Sequence, residues 1–289
     1  MFNIEYLEKN DIPDLLKEIP DKPTTLNYRG QIGKLFEPNR KSLTVVGSRR
    51  YTPYGRQVVE TLIGGLAGYP INIISGLALG IDSLAHQVAL KSNLYTVAVP
   101  GSGINDQVIY PRSHLRLAHQ IMTEGGALLS EYPPDTRAAR WTFPQRNRLM
   151  AGLSEATLII EATEKSGTLI TARLATDYDR ELLVVPGDIF RASSMGCNQF
   201  IKLGARVVTE AADILDSFNL LDSTTEKTNP TENLSPEAKR IWDLLTEPTE
   251  RDELIRKSGL NTETANTLLM QLVIEDILIN DDDYFRRNI

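Results

Sequence analysis

Cysteine occurs once in the 289 residues, at Cys197, which excludes an internal disulfide framework and fits a reducing compartment, so we place the chain in the cytoplasm. With no base partner in view, that thiol reads as inert. Histidine occurs three times: His114 and His119 stand five apart without an HExxH pattern and His86 stands alone, which suits surface or core roles and gives no metal site. No apolar run approaches the ~18 residues of a membrane span, and the N-terminus MFNIEYLEKND is acidic where a signal peptide would be basic and then apolar. A Walker A motif is missing, as is G-x-G-x-x-G between a strand and a helix, so ATPase and NAD-dehydrogenase readings lose their main support. Ser75, Ser102 and Ser166 lie in loops, none of them in a G-x-S-x-G elbow. What the chain does have is 41% hydrophobic residues, 24% charged residues and 19 glycines, an ordinary globular composition for one large domain or two unequal ones.

Basic charge is also short, with a net charge of −7, which at first argues against a polyanionic partner. The deficit is uneven. Segment balances are −2 for 1–38, +2 for 39–218, −2 for 219–233 and −5 for 234–289. Within the middle segment, Arg49, Arg50, Arg56, Arg112, Arg137, Arg140, Arg146 and Arg148 fall in or beside loops and helix starts, so a local basic patch is compatible with an acidic whole.

From Leu43 onward, short apolar runs alternate with segments of helical period. The runs are 43–47, 71–76, 95–101, 127–131, 156–161, 182–187 and 205–208, with helices expected near 55–68, 82–92, 112–123, 145–153, 168–178, 195–203 and 210–218. This is the pattern of an α/β, doubly wound, Rossmann-like and mostly parallel sheet over 39–218. Residues 1–38 form an N-terminal extension expected to lay a strand or two on the sheet edge. Residues 219–233, rich in Asn, Thr, Ser and acids, read as a linker. Three amphipathic segments and an acidic β-ribbon in 234–289 predict a small C-terminal winged helix.

Chemistry-bearing loops follow the strands. The first runs into Gly47-Ser48-Arg49-Arg50, where a helix N-terminus and arginine forks suit a phosphate. The second ends in a loop through Gly76 and Gly80, the third in Gly101-Ser102-Gly103, and the fifth is followed by Lys165-Ser166-Gly167-Thr168. Four such loops on one rim of a doubly wound sheet point to a ligand site at the strand exits. Asp82 reads as a cap for its own helix. The longest loop interleaves Arg137, Arg140, Arg146, Asn147 and Arg148 with Trp141 and Phe143, a composition suited to a single strand whose phosphates meet arginine and whose bases stack on rings. Phe143 serves equally as a stacking face or a core plug, whereas Trp141 reads as a core plug.

Taken in order, VGSRRYTPYG, SGLALGID, PGSG, YPPDTRAARWTFPQRNRLMAGLS and SGTLITA resemble the DNA processing protein A family (DprA, also called Smf) over about residues 23–218. The resemblance implies a Rossmann-fold protein that binds single-stranded DNA, protects incoming strands in natural transformation, loads the RecA recombinase and dimerises through the Rossmann domain. It also implies that the family's N-terminal helical SAM-like module is truncated or missing. By the same resemblance, the DNA pocket comprises the Gly47-Ser48-Arg49 turn and the stretch through Arg140, Phe143, Arg146, Asn147 and Arg148. The expected recognition helix of the winged domain, 261–271, has no Lys or Arg, which favours a protein contact over DNA reading.

The leading expectation is therefore a binding protein, not an enzyme, without cofactor or metal, a homodimer whose partners are single-stranded DNA and RecA. The competing reading is a nucleotide hydrolase similar to the LOG enzymes, with Glu161 as its catalytic carboxylate; the P-G-G-x-G-T signature it needs is only approached by Pro100-Gly101-Ser102-Gly103. A regulatory mononucleotide in the same rim is a third reading on which the residues are neutral.

Overall fold

The computed structural model describes residues 2–221, 234–275, 277–281 and 283–287. They fall into two units, Met1–Leu221 and Asp222–Ile289. The first is built in the order β1 (Ile4–Glu8), α1 (Asp14–Glu18), β2 (Thr25–Gly30), β3 (Lys41–Gly47), α2 (Pro53–Gly64), β4 (Ile71–Ser75), α3 (Ile81–Lys91), β5 (Tyr95–Ala98), α4 (Leu115–Thr123), β6 (Ala127–Ser130), α5 (Thr142–Gly152), β7 (Ala156–Ile160), α6 (Thr168–Asp177), β8 (Glu181–Val184), α7 (Ala192–Lys202), β9 (Arg206–Val207) and α8 (Ala211–Ser217). Short 3-10 turns at Gly33–Phe36 and Arg112–His114 complete it.

The nine strands form one sheet in the order β1-β2-β6-β5-β4-β3-β7-β8-β9. Strands β3 to β9 pair in parallel, while β1 and β2 run antiparallel at the edge, Tyr28 opposite Leu129. Residues 2–38 thus belong to the same sheet, and the boundary expected at residue 39 separates no two bodies. At the other end Leu220 packs on the core, so the expected linker begins later than residue 219; its positions 222–233 lie outside the described residues.

The apolar runs lack alternation because both faces of the sheet are covered. Leu43, Val45, Ile71, Ile73, Leu158 and Ile160 face the layer of α2, α3 and α8, while Val46, Ile74, Val97 and Ile159 face that of α1, α5, α6 and α7. Each such side chain contributes about 1.5–3 kcal/mol relative to exposure. The chain winds from β3 through β6 in one direction and from β7 through β9 in the other, so the strand order reverses between β3 and β7. In an open α/β sheet that reversal opens a crevice at the strand exits.

The second unit comprises α9 (Pro236–Leu244), β10 (Thr249–Glu250), α10 (Arg251–Ser258), α11 (Thr262–Ile274), β11 (Leu278–Asp281) and β12 (Tyr284–Arg287), with sheet order β10-β12-β11. Ile241, Trp242, Leu254, Leu269, Leu272 and Phe285 form its core. Ser235 and Asn261 cap α9 and α11, and Gly259 ends α10 in the left-handed conformation, giving the three helices and ribbon of a winged helix. No helix among the described residues is long and apolar enough to cross a membrane.

One buried polar group reports on the sheet's integrity. The Thr96 hydroxyl donates to the Ile73 carbonyl at 2.7 Å and lies 2.7 Å from His86 Nδ1, and the imidazole is fully buried. Burial holds the imidazole pKa down to about 3 from its ordinary 6.5. Below about pH 6.5 the unfolded chain therefore takes up a proton that the folded one refuses. The His86 contribution is complete above that value and is lost as the pH falls toward 3, with a slope of up to about 1.4 kcal/mol per pH unit. Urea denaturation across this range should show the decline, and His86→Gln should flatten its slope whatever it does to the absolute stability.

Candidate nucleic-acid interface

The loops leaving β3, β4 and β7, with the first turns of α5 and α6, enclose a groove of about 810 Å³ at the point of strand-order reversal. Its lining follows from helical period. On α5, Phe143, Arg146, Asn147 and Met150 stand at i, i+3, i+4 and i+7, one face of a helix, and all four line the groove. On α6, Gly167, Ile170 and Thr171 do the same. Arg49 and Arg50 reach it from the β3 turn and Arg140 from the segment before α5.

The β3 turn is held by its own residues. Ser48 Oγ donates to the Arg50 carbonyl at 2.8 Å and accepts from the Arg50 N–H at 3.1 Å, leaving the Arg49 and Arg50 side chains in solvent. Thr52 caps α2 by accepting from the Gly55 N–H, and both its own N–H and its hydroxyl donate to Glu161, at 2.8 and 2.5 Å. Glu161 is 4% exposed, so both its oxygens serve the turn; the carboxylate that the hydrolase reading needed is a buried brace.

Arg146, read from the sequence as a DNA contact, is 4% exposed. Its Nη1 donates to the Gly76 carbonyl at 2.6 Å and to that of Val99, and its Nε donates to Asn147 Oδ1 at 3.2 Å. The side chain of Asp82 lies against the same glycine, where any Cβ would collide with both groups. Burial draws the Arg146 pKa down to about 10, with Asp82 opposing that shift, so the guanidinium stays charged at neutral pH. Burial pushes the Asp82 carboxyl upward against the pull of Arg146 and of backbone N–H groups at Ala78 and Gly76. Asp82 therefore binds the loop ahead of its helix and does not cap α3, whose first position is served by Gly80 without a side-chain bond.

Arg148 also departs from expectation. Two residues from Arg146, it lies about 200° further round α5, away from the groove, and its Nη2 pairs with Glu131, both side chains being 12% exposed. The loop Gly101-Ser102-Gly103 is packing: Ser102 is fully buried, Gly101 makes room for the Phe143 ring, and Gly103 lies against the carbonyls of Pro133 and Pro134. Gly80, at φ +90°, lets the Ser48 carbonyl approach the start of α3. Gly76 lines a small adjoining cleft, and Lys165 is exposed beyond the groove. Of the expected site residues the groove thus gathers Gly47, Ser48, Arg49, Arg50, Arg140, Phe143, Arg146, Asn147, Ser166, Gly167 and Thr168.

Phe143 is half-buried, with the Tyr110 ring 5.7 Å away and the Arg49 guanidinium 5.4 Å from its centroid. Tyr110, Thr163 and Ser193 were invisible to sequence reading, since they come from loops with no phosphate signature. Trp141, expected as a core plug, is 61% exposed. Among the described residues, Arg49, Arg50 and Arg140 have no carboxylate partner within ion-pair distance, and no group of three or more His, Cys, Asp or Glu side chains could hold a metal. The arrangement is three guanidinium groups without carboxylate partners, one of them over the Phe143 ring, above a buried fourth cation.

A doubly wound α/β unit with an arginine-lined groove at its switch point, accompanied by a winged helix, defines a two-unit protein equipped for a polyanion. A family model described as DNA recombination-mediator protein A matches residues 3–219, and one described as DprA winged helix domain matches 225–275. The chain belongs to this DprA/Smf family. It is 41% identical over 202 residues to Protein Smf of Escherichia coli, covering 69% of this chain and 54% of that protein, so the match spans about half of that relative. It is 39% identical over 212 residues to the DNA processing protein DprA of Bacillus subtilis, covering 73% and 70%. Among solved structures, DprA of Streptococcus pneumoniae superposes with a TM-score of 0.68 at 37% identity over 74% of each chain. DNA processing protein A of Helicobacter pylori, described for its single-stranded DNA binding mode, does so with a TM-score of 0.67 at 31% identity over 75% of this chain and 96% of that one.

The two kinds of arginine should separate in a stability measurement. Arg146→Ala strands Asp82 and two backbone carbonyls in the interior and is expected to lose about 3–5 kcal/mol. Arg49→Ala removes an exposed side chain and should stay within about 0.5 kcal/mol of the parent. Thermal denaturation of the two variants, side by side, checks both.

Proposed function

We propose that the groove binds single-stranded DNA and that the protein acts as a recombination mediator, shielding the strand and delivering it to a RecA-type recombinase in the cytoplasm. The observation that carries this reading is the trio Arg49, Arg50 and Arg140, free of carboxylates, beside the half-buried ring of Phe143 at the strand-order reversal. Guanidinium groups on phosphates supply affinity without sequence preference, and the aromatic face takes an unpaired base, which a duplex does not offer. The likeness to the Helicobacter pylori protein supports the same ligand.

We further infer a homodimer through the last Rossmann helices, where Met195 and Leu203 at α7 are exposed, with Val207 of β9 beside them in sequence; two grooves on one assembly would engage a longer strand with added avidity. The winged helix is assigned to protein contact, since α11 carries no Lys or Arg and exposes Met270 and Ile274. Loss of residues 222–289 should accordingly leave strand binding intact in a gel-shift comparison.

The electrostatic account has a numerical signature. With three guanidinium groups on phosphates, log affinity for an oligo-dT strand should fall with log salt at a slope of about −2. Fluorescence anisotropy at increasing salt measures it, and Arg49→Ala should reduce both the affinity and the steepness. A slope near zero would remove the arginines from the mechanism.

A further inference from the structure

Trp141 is the largest exposed ring on the strand-exit rim, and the function proposed above makes no use of it. Its ring is 61% exposed while everything holding it is fixed. The Tyr132 ring, 7% exposed, meets it edge-on at 5.9 Å and 86°. The Tyr132 hydroxyl reaches the Thr142 carbonyl at 3.1 Å, and the buried Thr142 hydroxyl donates to the Gly101 carbonyl at 2.6 Å. The residue that follows Trp141 is therefore tied to the loops leaving β5 and β6, and a large aromatic surface faces water beside it. An indole left this exposed contributes little to folding, and most of its surface is open to a ligand.

Its place in the sheet indicates which partner. Phe143 rests on Gly101, at the exit of β5, whereas Trp141 rests on Tyr132, just past the exit of the neighbouring β6. Adjacent strands are about 4.8 Å apart, so the two rings are carried above successive strand exits. Arg140, which lines the groove, immediately precedes Trp141, and Arg137 lies exposed a few residues earlier. Basic residues thus flank the indole in sequence, and one of them reaches the groove, a combination of cation and ring that suits a nucleobase more closely than a protein side chain.

We propose that Trp141 is a second base-stacking platform, carrying single-stranded DNA beyond Phe143 along the rim toward β6. The proposal rests on the groove being the DNA site and extends it by one base-binding position. Only two tryptophans are present, and Trp242 is 7% exposed in the core of the winged helix, so intrinsic fluorescence reports mainly on Trp141 when a ligand arrives.

The full chain is titrated with an oligo-dT strand while indole emission and the anisotropy of a labelled strand are followed in parallel. Quenching of wild-type emission is expected, together with its loss in Trp141→Phe, which keeps a ring and should keep most of the affinity. Trp141→Ala should weaken binding roughly 10-fold, the size of one stacked base. If the strand binds by anisotropy with emission unmoved and Trp141→Ala binds equally well, the platform is refuted and the groove stands. If wild type binds no strand, the groove reading falls and takes the platform with it. Emission that answers to a RecA-type recombinase and not to DNA would also overturn the proposal, making Trp141 a protein contact.

Discussion

The hydrogen bonds from the buried Arg146 guanidinium to the carbonyls of Gly76 and Val99 tie together the ends of β4 and β5 under the floor of the groove. A charge in that position is tolerated because carbonyl dipoles, the Asn147 amide and the carboxylate of Asp82 surround it. Asp82 in turn holds the Gly76 N–H at 3.1 Å, so anion and cation grip the same glycine from two sides. The loop after β4 cannot move without breaking this arrangement, and Phe143, one helical turn before Arg146, is positioned by it. A ring and several guanidinium groups keep a fixed spacing only on such a mount, and any looseness would cost entropy when a ligand orders them.

The same cation shapes the field. Arg146 and Arg49 act on each other as like charges, so both add to the positive potential of the groove. A chain of net charge −7 can therefore carry a positive crevice, since what a phosphate meets at contact is the local arrangement, and salt screens the remainder within about 10 Å. The acidic excess lies in the second unit, whose balance of −7 over residues 222–289 equals that of the whole chain and leaves the groove's own residues unopposed in sequence.

Much of this was legible in the residues. Continuous apolar runs between glycines specified a buried parallel sheet, and the seven expected runs each contain a strand of the Rossmann layer because a two-faced core leaves little room for any other pattern. The rim could be located for the same reason, since parallel strands all exit on one side. What escaped was the direction of individual side chains. Arg146 and Arg148 look equivalent as letters, yet the α5 period sends one beneath the groove and the other to Glu131. Counting i, i+3, i+4 and i+7 from Phe143 would have drawn that distinction. Gly101 and Gly103 looked like phosphate-loop glycines; their reason is the Phe143 ring and the Pro133–Pro134 backbone, partners distant in sequence. Trp141 reads as a core plug anchoring its loop, whereas the buried Tyr132 ring occupies that place and meets the exposed indole edge-on.

The titratable groups around the groove bear on whether it binds or reacts. Glu161 is committed to Thr52, Asp82 to the β4 loop, and the Cys197 thiol is pushed by burial up to about 11. Each is held in place by the turn or helix it stabilises, so recruiting any of them as a general base would first dismantle part of the rim. What faces solvent is of another kind, guanidinium groups that keep their charge throughout the physiological range and rings that carry none. A surface of this make-up discriminates by charge density and by the availability of an unstacked base. Contacts of this kind stay constant with pH and weaken with salt.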